Sequence, residues 1–313
     1  MDMLAAVFTV AGLAVFEIIS SIDNAVINAE VMAKMSEKAR RWFLHYGLLF
    51  AVFGIRFTLP LLILWMANPS YSPADLLMSA FSDDPKVAEA VEASAPLLLV
   101  SGGIFLVFLF FHWLFLEPKN FGLHGEKFFL RQGVWFYAVV SILLAAVTGF
   151  ALQINPMMAF GAVVGSTAFF IIHGFKQNAA EQGRQMLEGN SSSHMGDWSK
   201  IFYLEAIDAT FSIDGVIGAF AYTMAIPLIL LGSGLGAFVV REMTIRNIET
   251  VKKYKYLKNG AMYSILFLGA VMLADAFGMR VPFYATPLAT FAIIGYFFYL
   301  SKIELGKAAA ASA

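Results

Sequence analysis

FEIISSIDNAV, residues 16–26, lies inside an apolar stretch running from Leu4 to Ala29 and brings Glu17, Asp23 and Asn24 into it. A carboxylate at the centre of a membrane-spanning helix costs about 2.5–3.5 kcal/mol on insertion scales, so an acid there is a functional candidate by default. The stretch decides the fold because a second copy exists. Aligned on Asp23 and Asp214, FSIDGVI at 211–217 repeats SSIDNAV at 20–26. Both copies read [DE]-x3-S-I-D, with Glu17 falling on Asp208 and Ser21 on Ser212.

The surroundings of both copies are those of a membrane protein. The 313 residues are 59% hydrophobic, 15% aromatic and 14% charged, with mean hydropathy +0.73. A soluble domain carries about 25% charged residues. The composition therefore predicts an all-α, polytopic transmembrane helix bundle, because lipid leaves no partner for unpaired backbone groups. At about 20 apolar residues per crossing, about nine spans are expected: 4–32, 43–66, 95–116, 134–153, 156–175, 199–222, 226–240, 260–278 and 282–300. The linker 68–96 is long, with a short surface helix expected around Val87–Ala93; the linker 176–200 begins helically and turns Ser/Gly-rich. No basic run precedes the first apolar segment, which reads as a retained helix rather than a signal peptide. Net charge −1 gives no electrostatic case for nucleic acid, and the absence of Cys excludes disulfides, thiolate metal sites and Cys nucleophiles.

Charge sets the orientation. With nine spans and the N-terminus outside, every Lys and Arg except Lys86, Arg280 and Arg56 falls in a loop or tail on the inner side. Such a bias is the positive-inside signature and predicts a cytoplasmic C-terminus; the absence of targeting extensions fits a bacterial inner membrane. The first span then descends and the sixth ascends, so the two acid motifs are antiparallel. The chain reads as one transmembrane domain, 1–313, built as an inverted-topology repeat. Repeat one covers about 4–116 with its motif at 17–24, repeat two about 199–300 with its motif at 205–215, and 177–198 is a flexible inner loop. Inverted repeats whose polar centres meet at mid-membrane recur in secondary transporters.

At about 100° per residue, Glu17, Ser21, Asn24 and Asn28 share one stripe, and Asp23 lies about 120° away. Glu205, Asp208 and Ser212 share another, with Asp214 to the side. A straight helix aims the two acids of each copy at different neighbours, whereas unwinding near Asn24 and near Gly215–Gly218 would let them converge.

Six carboxylates lie in or near the membrane interior: Glu17, Asp23, Glu205, Asp208, Asp214 and Asp275. Arg56 is the main intramembrane base, with His45, His112 and His173 nearer the span ends. Each histidine alone reads as an interfacial or packed residue, away from the acid motifs. The acids are either protonated and hydrogen-bonded to Ser, Thr and Asn, which suits Asp275 best, or they form a cation site. Oxygen donors without Cys suit Mg²⁺, Ca²⁺ or Mn²⁺. Ser21, Asn24 and Ser212 are available to complete a shell, and Arg56 to pin an acid or replace the departing ion. Crowded carboxylates also provide for proton exchange. GSGLG at 232–236 is helix-packing sequence, since no strand precedes it as a phosphate loop requires. VKKYKYLK at 251–258 is an inner face attracted to anionic lipid.

The motifs EIISSIDNAV (17–26), LEAIDATFSIDGVIGAFAYT (204–223) and LKNGAMYSILFLGAVMLADAFG (257–278) resemble the TerC family of integral membrane proteins, especially its DUF475 branch. HYGLLFAVFGIRF (45–57) and SGGIFLVFLF (101–110) are similar to its second and third helices. The resemblance implies metal-ion transport, with manganese efflux foremost and tellurite resistance as an older association, and kinship with LysE-type exporters. By motif match it carries Glu17, Asp23, Asn24, Glu205, Asp208 and Asp214 over as the ion site. Gly215 departs from the Ser that commonly follows the final Asp.

The expected function is therefore a membrane transporter, an exporter by resemblance, of a hard divalent cation. Mn²⁺ leads, with Ca²⁺ and Mg²⁺ as alternatives. Membrane lipid, the ion and protons as counter-ion are the expected partners, with a homo-oligomer left open and no permanently bound cofactor. Two other classes compete with it. One is an intramembrane aspartyl hydrolase using Asp23 and Asp214 as a dyad; the other is a non-transporting scaffold. The transporter reading makes the protein no enzyme.

Overall fold

The computed structural model of the chain describes residues 3–47, 50, 54, 56–67, 69–72, 74–75, 85–188, 196–246 and 248–312. Thirteen α-helices and no strand occur among them: α1 Met3–Ser20, α2 Ile22–Met32, α3 Glu37–Trp42, α4 Arg56–Ala67, α5 Pro85–Leu116, α6 Glu126–Arg131, α7 Phe136–Ile154, α8 Pro156–Glu188, α9 Asp197–Ala219, α10 Ile226–Arg246, α11 Ile248–Lys252, α12 Leu257–Ala276 and α13 Ala285–Ser312. The polytopic helical bundle expected from composition is the observed architecture.

Seven of the expected spans correspond to helices long and apolar enough to cross a membrane: Met3–Ser20, Ala93–Leu116, Gly133–Ile154, Pro156–Ala179, Ile226–Ile245, Leu257–Ala276 and Ala285–Lys307. The other two fall outside that class. In the second, the described residues form a π-helical turn, Phe43–Gly47, and α4, with 12 residues; residues 48, 49, 51–53 and 55 lie outside the described ones. In the sixth, α9 has 23 residues, but Glu205, Asp208 and Asp214 make it too charged for that class.

Two boundaries correct the sequence reading, and the open choice between straight and unwound motif helices is decided. The first span is two helices, divided at Ser21, whose φ −91° and ψ 3° leave the helical region. Backbone bonds Ser21 N to Glu17 O (3.1 Å) and Ala25 N to Ser21 O (2.9 Å) bridge the break, so it is a kink, not an unwinding at Asn24. α9 runs unbroken through Gly215 and Gly218. Residues 87–93 are the first turns of α5 rather than a separate surface helix. The helical start in 177–198 extends α8 to Glu188; the Ser/Gly-rich piece, 189–195, lies outside the described residues.

α5 and α12 occupy the centre, 72% and 61% of their spans buried, against 22% for the spans at Gly133–Ile154 and Ala285–Lys307. Lipid-side residues such as Phe150, Phe160, Phe175 and Tyr299 stay exposed, as a bundle solvated by hydrocarbon requires. Small residues set the close crossings, the usual device where helices have no hydrophobic drive to associate. In the GSGLG sequence, a Cβ at Gly232 would lie 2.5 Å from Leu13 Cβ, and one at Gly236 would lie 2.5 Å from Glu17 Cβ. α10 therefore sits directly against α1 and fixes where Glu17 points.

The basic connections assemble at one end. Lys200 Nζ donates to Lys34 O (2.9 Å), Lys252 reaches Glu30 (3.3 Å), Asn259 donates to Asn120 O (2.9 Å), and Tyr256 N donates to Ser301 Oγ (3.0 Å). Four of the segments assigned to one side by charge, and the last helix near its end, meet there.

Candidate functional site

The two acid-bearing segments are antiparallel neighbours. Gly12 packs at Tyr222, Phe16 at Gly218 and Glu17 at Gly215. Asn24 bonds Asp208, Lys34 meets Lys200, and Ser36 meets Asp197. Each step forward from residue 12 to 36 is matched by a step back from 222 to 197. The first segment is α1–α2 and the second is α9 with its following turn.

Their polar residues divide between two cavities, along the stripes that helical periodicity predicts. The first cavity, about 60 Å³, is lined by Ser21, Asn24, Asn28, Arg56, Glu205 and Asp208, with Arg241 on the wall from α10. One water needs roughly 10–15 Å³ on that measure, so an ion with part of its hydration fits. Behind it, Arg56 Nη2 lies 2.6 Å from Glu17 Oε1, and Nη1 is 3.9 Å from Asp208 Oδ2. Ser21 Oγ donates to Glu17 Oε1 at 2.8 Å, and Asn24 Nδ2 donates to Asp208 Oδ1. Four buried oxygens there have no hydrogen-bond partner: Asn24 Oδ1, Asn28 Oδ1, and Glu205 Oε1 and Oε2. Buried polar atoms are nearly always satisfied, and in the same lining Arg56 Nε and Arg241 Nε also lack a partner, so this small cavity gathers unmet acceptors and donors together.

Glycine makes room for these groups. A Cβ at Gly47, in the π-turn, would collide with Glu205 Oε1, and one at Gly215 would lie 2.8 Å from Glu17 Oε2. Gly215, where the resemblance leads one to expect Ser, is thus the seat of the Glu17 carboxylate.

The second cavity, about 610 Å³, holds the two off-stripe acids, Asp23 and Asp214. The expectation that they share one ion site with Glu17, Asn24, Glu205 and Asp208 is not what the geometry gives. Each closes on its own lysine, Asp23 on Lys258 at 2.8 Å and Asp214 on Lys176. Neither carboxylate pairs with the other, as a shared-proton dyad would require. His112, His173 and Glu117 line the same space. The two histidines are not away from the acid motifs; they face them.

Among the supporting residues, Ser212 Oγ donates to Asp208 O (2.6 Å) within its own helix. Asp275 Oδ1 accepts from Val281 N (2.9 Å) and closes the turn after α12. Neither touches the cavities. His45 Nδ1 sits 3.0 Å from Arg41 O. Among the described residues, no three His, Asp or Glu side chains converge as a metal-binding group.

The family model described as "Protein of unknown function (DUF475)" matches residues 22–306, and so takes in the whole of α2 and α9 and all of the two cavities' lining except Ile19, Ser20 and Ser21. The chain belongs to the DUF475 family. It is also 27% identical, over 108 residues, to the uncharacterized membrane protein YceF of Bacillus subtilis (strain 168). That alignment covers 34% of this chain and 42% of the relative's length. No solved structure matches. This DUF475 protein is thus an integral membrane protein whose two acid motifs dock head to tail.

Proposed function

We propose that this DUF475 protein is a transporter of a hard divalent cation, held during transport by Asn24, Asn28, Glu205 and Asp208. The observation that carries the reading is the four partnerless buried oxygens around the 60 Å³ cavity. Two amide and two carboxylate oxygens are the donors that Mg²⁺, Ca²⁺ and Mn²⁺ prefer. The TerC resemblance favours Mn²⁺ and export.

Arg56 takes the part of internal counter-ion. It contacts Glu17 and Asp208, and Arg241 lines the same cavity from α10. An arriving dication displaces guanidinium from Asp208, and its departure lets Arg56 return. The kink at Ser21 lies between Glu17 and Asn24, so movement of α2 on α1 changes how the two halves of the first motif face α9. That is the lever for alternating access. The basic end faces the cytoplasm of a bacterial inner membrane, with the N-terminus outside.

Thermal unfolding of the full chain in nanodiscs, with Mn²⁺, Ca²⁺ or Mg²⁺ added, tests the site. A ligand at 100 times its Kd stabilises by about 2.7 kcal/mol, and Glu205→Gln or Asn28→Ala removes the shift. Ion flux in proteoliposomes tests transport itself. A chain indifferent to all three ions would sink the reading and favour the scaffold, in which the ion pairs of Glu17, Asp23 and Asp214 serve assembly alone.

A further inference from the structure

His112 and His173 come from helices α5 and α8, 61 positions apart in sequence, yet their ring centroids are 3.7 Å apart at a tilt of 51°. His112 is 7% exposed. Its Nδ1 and the Nε2 of His173 are buried without a hydrogen-bond partner. Glu117 Oε1 stands 3.4 Å from His112 Nδ1, beyond ordinary hydrogen-bond length. Phe169 stacks on His173 (5.6 Å, 11°) and Phe136 meets His112 edge-on (5.5 Å, 89°).

Charge around the pair is unbalanced. The described residues lining this cavity include three carboxylates: Asp23 from α2, Glu117 just past α5, and Asp214 from α9. Facing them are two ammoniums, Lys176 from α8 and Lys258 from α12. Phe136 is what α7 brings to the rings. With both imidazoles neutral the wall carries one negative charge too many, and one imidazolium closes the count. Two would overshoot it, at a separation where like charges repel strongly.

We propose that His112 and His173 form a one-proton site, and that its proton is the counter-ion exchanged for the transported cation. The second half rests on the transport reading above; the first does not. The proton adds to an imidazole lone pair and leaves by the same route, with no other bond changed. Its charge draws Glu117 toward the rings and away from Lys258, which Glu117 holds at 3.0 Å, and it repels Lys176 from the same side. Lys258 and Lys176 are the tethers of Asp23 and Asp214. Those acids share α2 and α9 with Asn24, Asn28, Glu205 and Asp208, so loosening one cavity's ion pairs moves helices that wall the other.

The chain has only five histidines, so ¹⁵N-histidine NMR of the full chain in nanodiscs reads each ring. Over about pH 8 to pH 4.5, a window that brackets the ordinary imidazole pKa, the wild type should take up one proton shared between the two rings. In His112→Gln or His173→Gln, the surviving ring should titrate with a midpoint moved by about tenfold in proton concentration or more. Independent, unchanged midpoints, or two rings neutral throughout, would overturn the site; the wild-type curve decides this even where a variant fails to fold. If one equivalent of Zn²⁺ at pH 8 moved both rings together, they would be a metal site instead, and the proposal would fail.

For coupling, proteoliposomes carrying a pH dye should show proton flow opposite to Mn²⁺ flow. His112→Gln should keep the Mn²⁺-induced rise in Tm and lose that proton flow. Proton flow unchanged in both variants would overturn the assignment. A wild type without any Mn²⁺ response beside an intact shared titration would remove the transport reading and leave the proton site in place.

Discussion

Arg56 Nη2 and Glu17 Oε1 stand 2.6 Å apart, with side chains 5% and 3% exposed. Glu17 is also bonded by Ser21, and Arg56 is also within reach of Asp208. Removing one member of a buried pair leaves an uncompensated charge and costs about 3–5 kcal/mol, while removing both is often near neutral. Glu17→Gln and Arg56→Gln should each lower Tm sharply, and the double variant should recover most of the loss. Additive losses in the double variant would show that the two groups act separately.

The contact between α1 and α10 sets where that pair sits. A methyl at Gly236 would lie 2.8 Å from Ala14 O as well as against Glu17 Cβ, and backbone cannot step aside as a side-chain tip can. Gly236→Ala should cost about 1–3 kcal/mol, the usual range for overpacking. Gly215→Ser meets only the carboxylate end of Glu17. It should cost less stability than Gly236→Ala while displacing Glu17 from Arg56. A comparison of the two melting temperatures checks the order; equal losses would contradict it.

Glu117 responds to pH in a definite direction. Burial pushes its carboxyl up, but the His112 ring and the Lys258 ammonium outweigh burial and bring it from the ordinary 4.5 to about 2. A carboxyl depressed in the folded state contributes stability that is complete above the unfolded value and is lost as pH falls toward the folded one. Tm of the wild type should therefore exceed that of Glu117→Gln at pH 6, and the difference should shrink below about pH 4.5. Curves that stay parallel from pH 6 to about pH 3 would show that Glu117 is not held by these partners.

Much of this was legible in the sequence. Apolar run lengths led to nine expected spans, seven of which are helices long and apolar enough to cross a membrane, and the matched acid motifs with one-sided basic loops led to the antiparallel docking. The 100° periodicity separated Asn24, Asn28, Glu205 and Asp208 from Asp23 and Asp214, which lie on different faces and line different cavities. Merging the five acids and Asn24 into one site set that periodicity aside. Lys176 and Lys258 were missed because they sit at the ends of apolar runs and reach back along their stems, as long basic side chains do. The His112–His173 pair depends on how α5 packs against α8, which no local pattern encodes. The kink at Ser21 has neither Pro nor Gly to announce it.

Asp275 separates resemblance from geometry. It lies in MLADAFG, within a stretch similar to the TerC family, and could be taken for a sixth acid of the ion site. Its Oδ1 instead accepts the Val281 N–H at 2.9 Å, across a turn in which Gly278 has φ +84°. A single hydrogen bond of this kind contributes about 0.5–1.5 kcal/mol. Asp275→Ala should lower the unfolding free energy by an amount in that range and leave any Mn²⁺-induced Tm shift intact, whereas Asp208→Asn should remove the shift. If Asp275→Ala abolished the Mn²⁺ response while folding normally, the acid would have a part in ion handling beyond the turn it closes, and the boundary of the site would have to extend along α12.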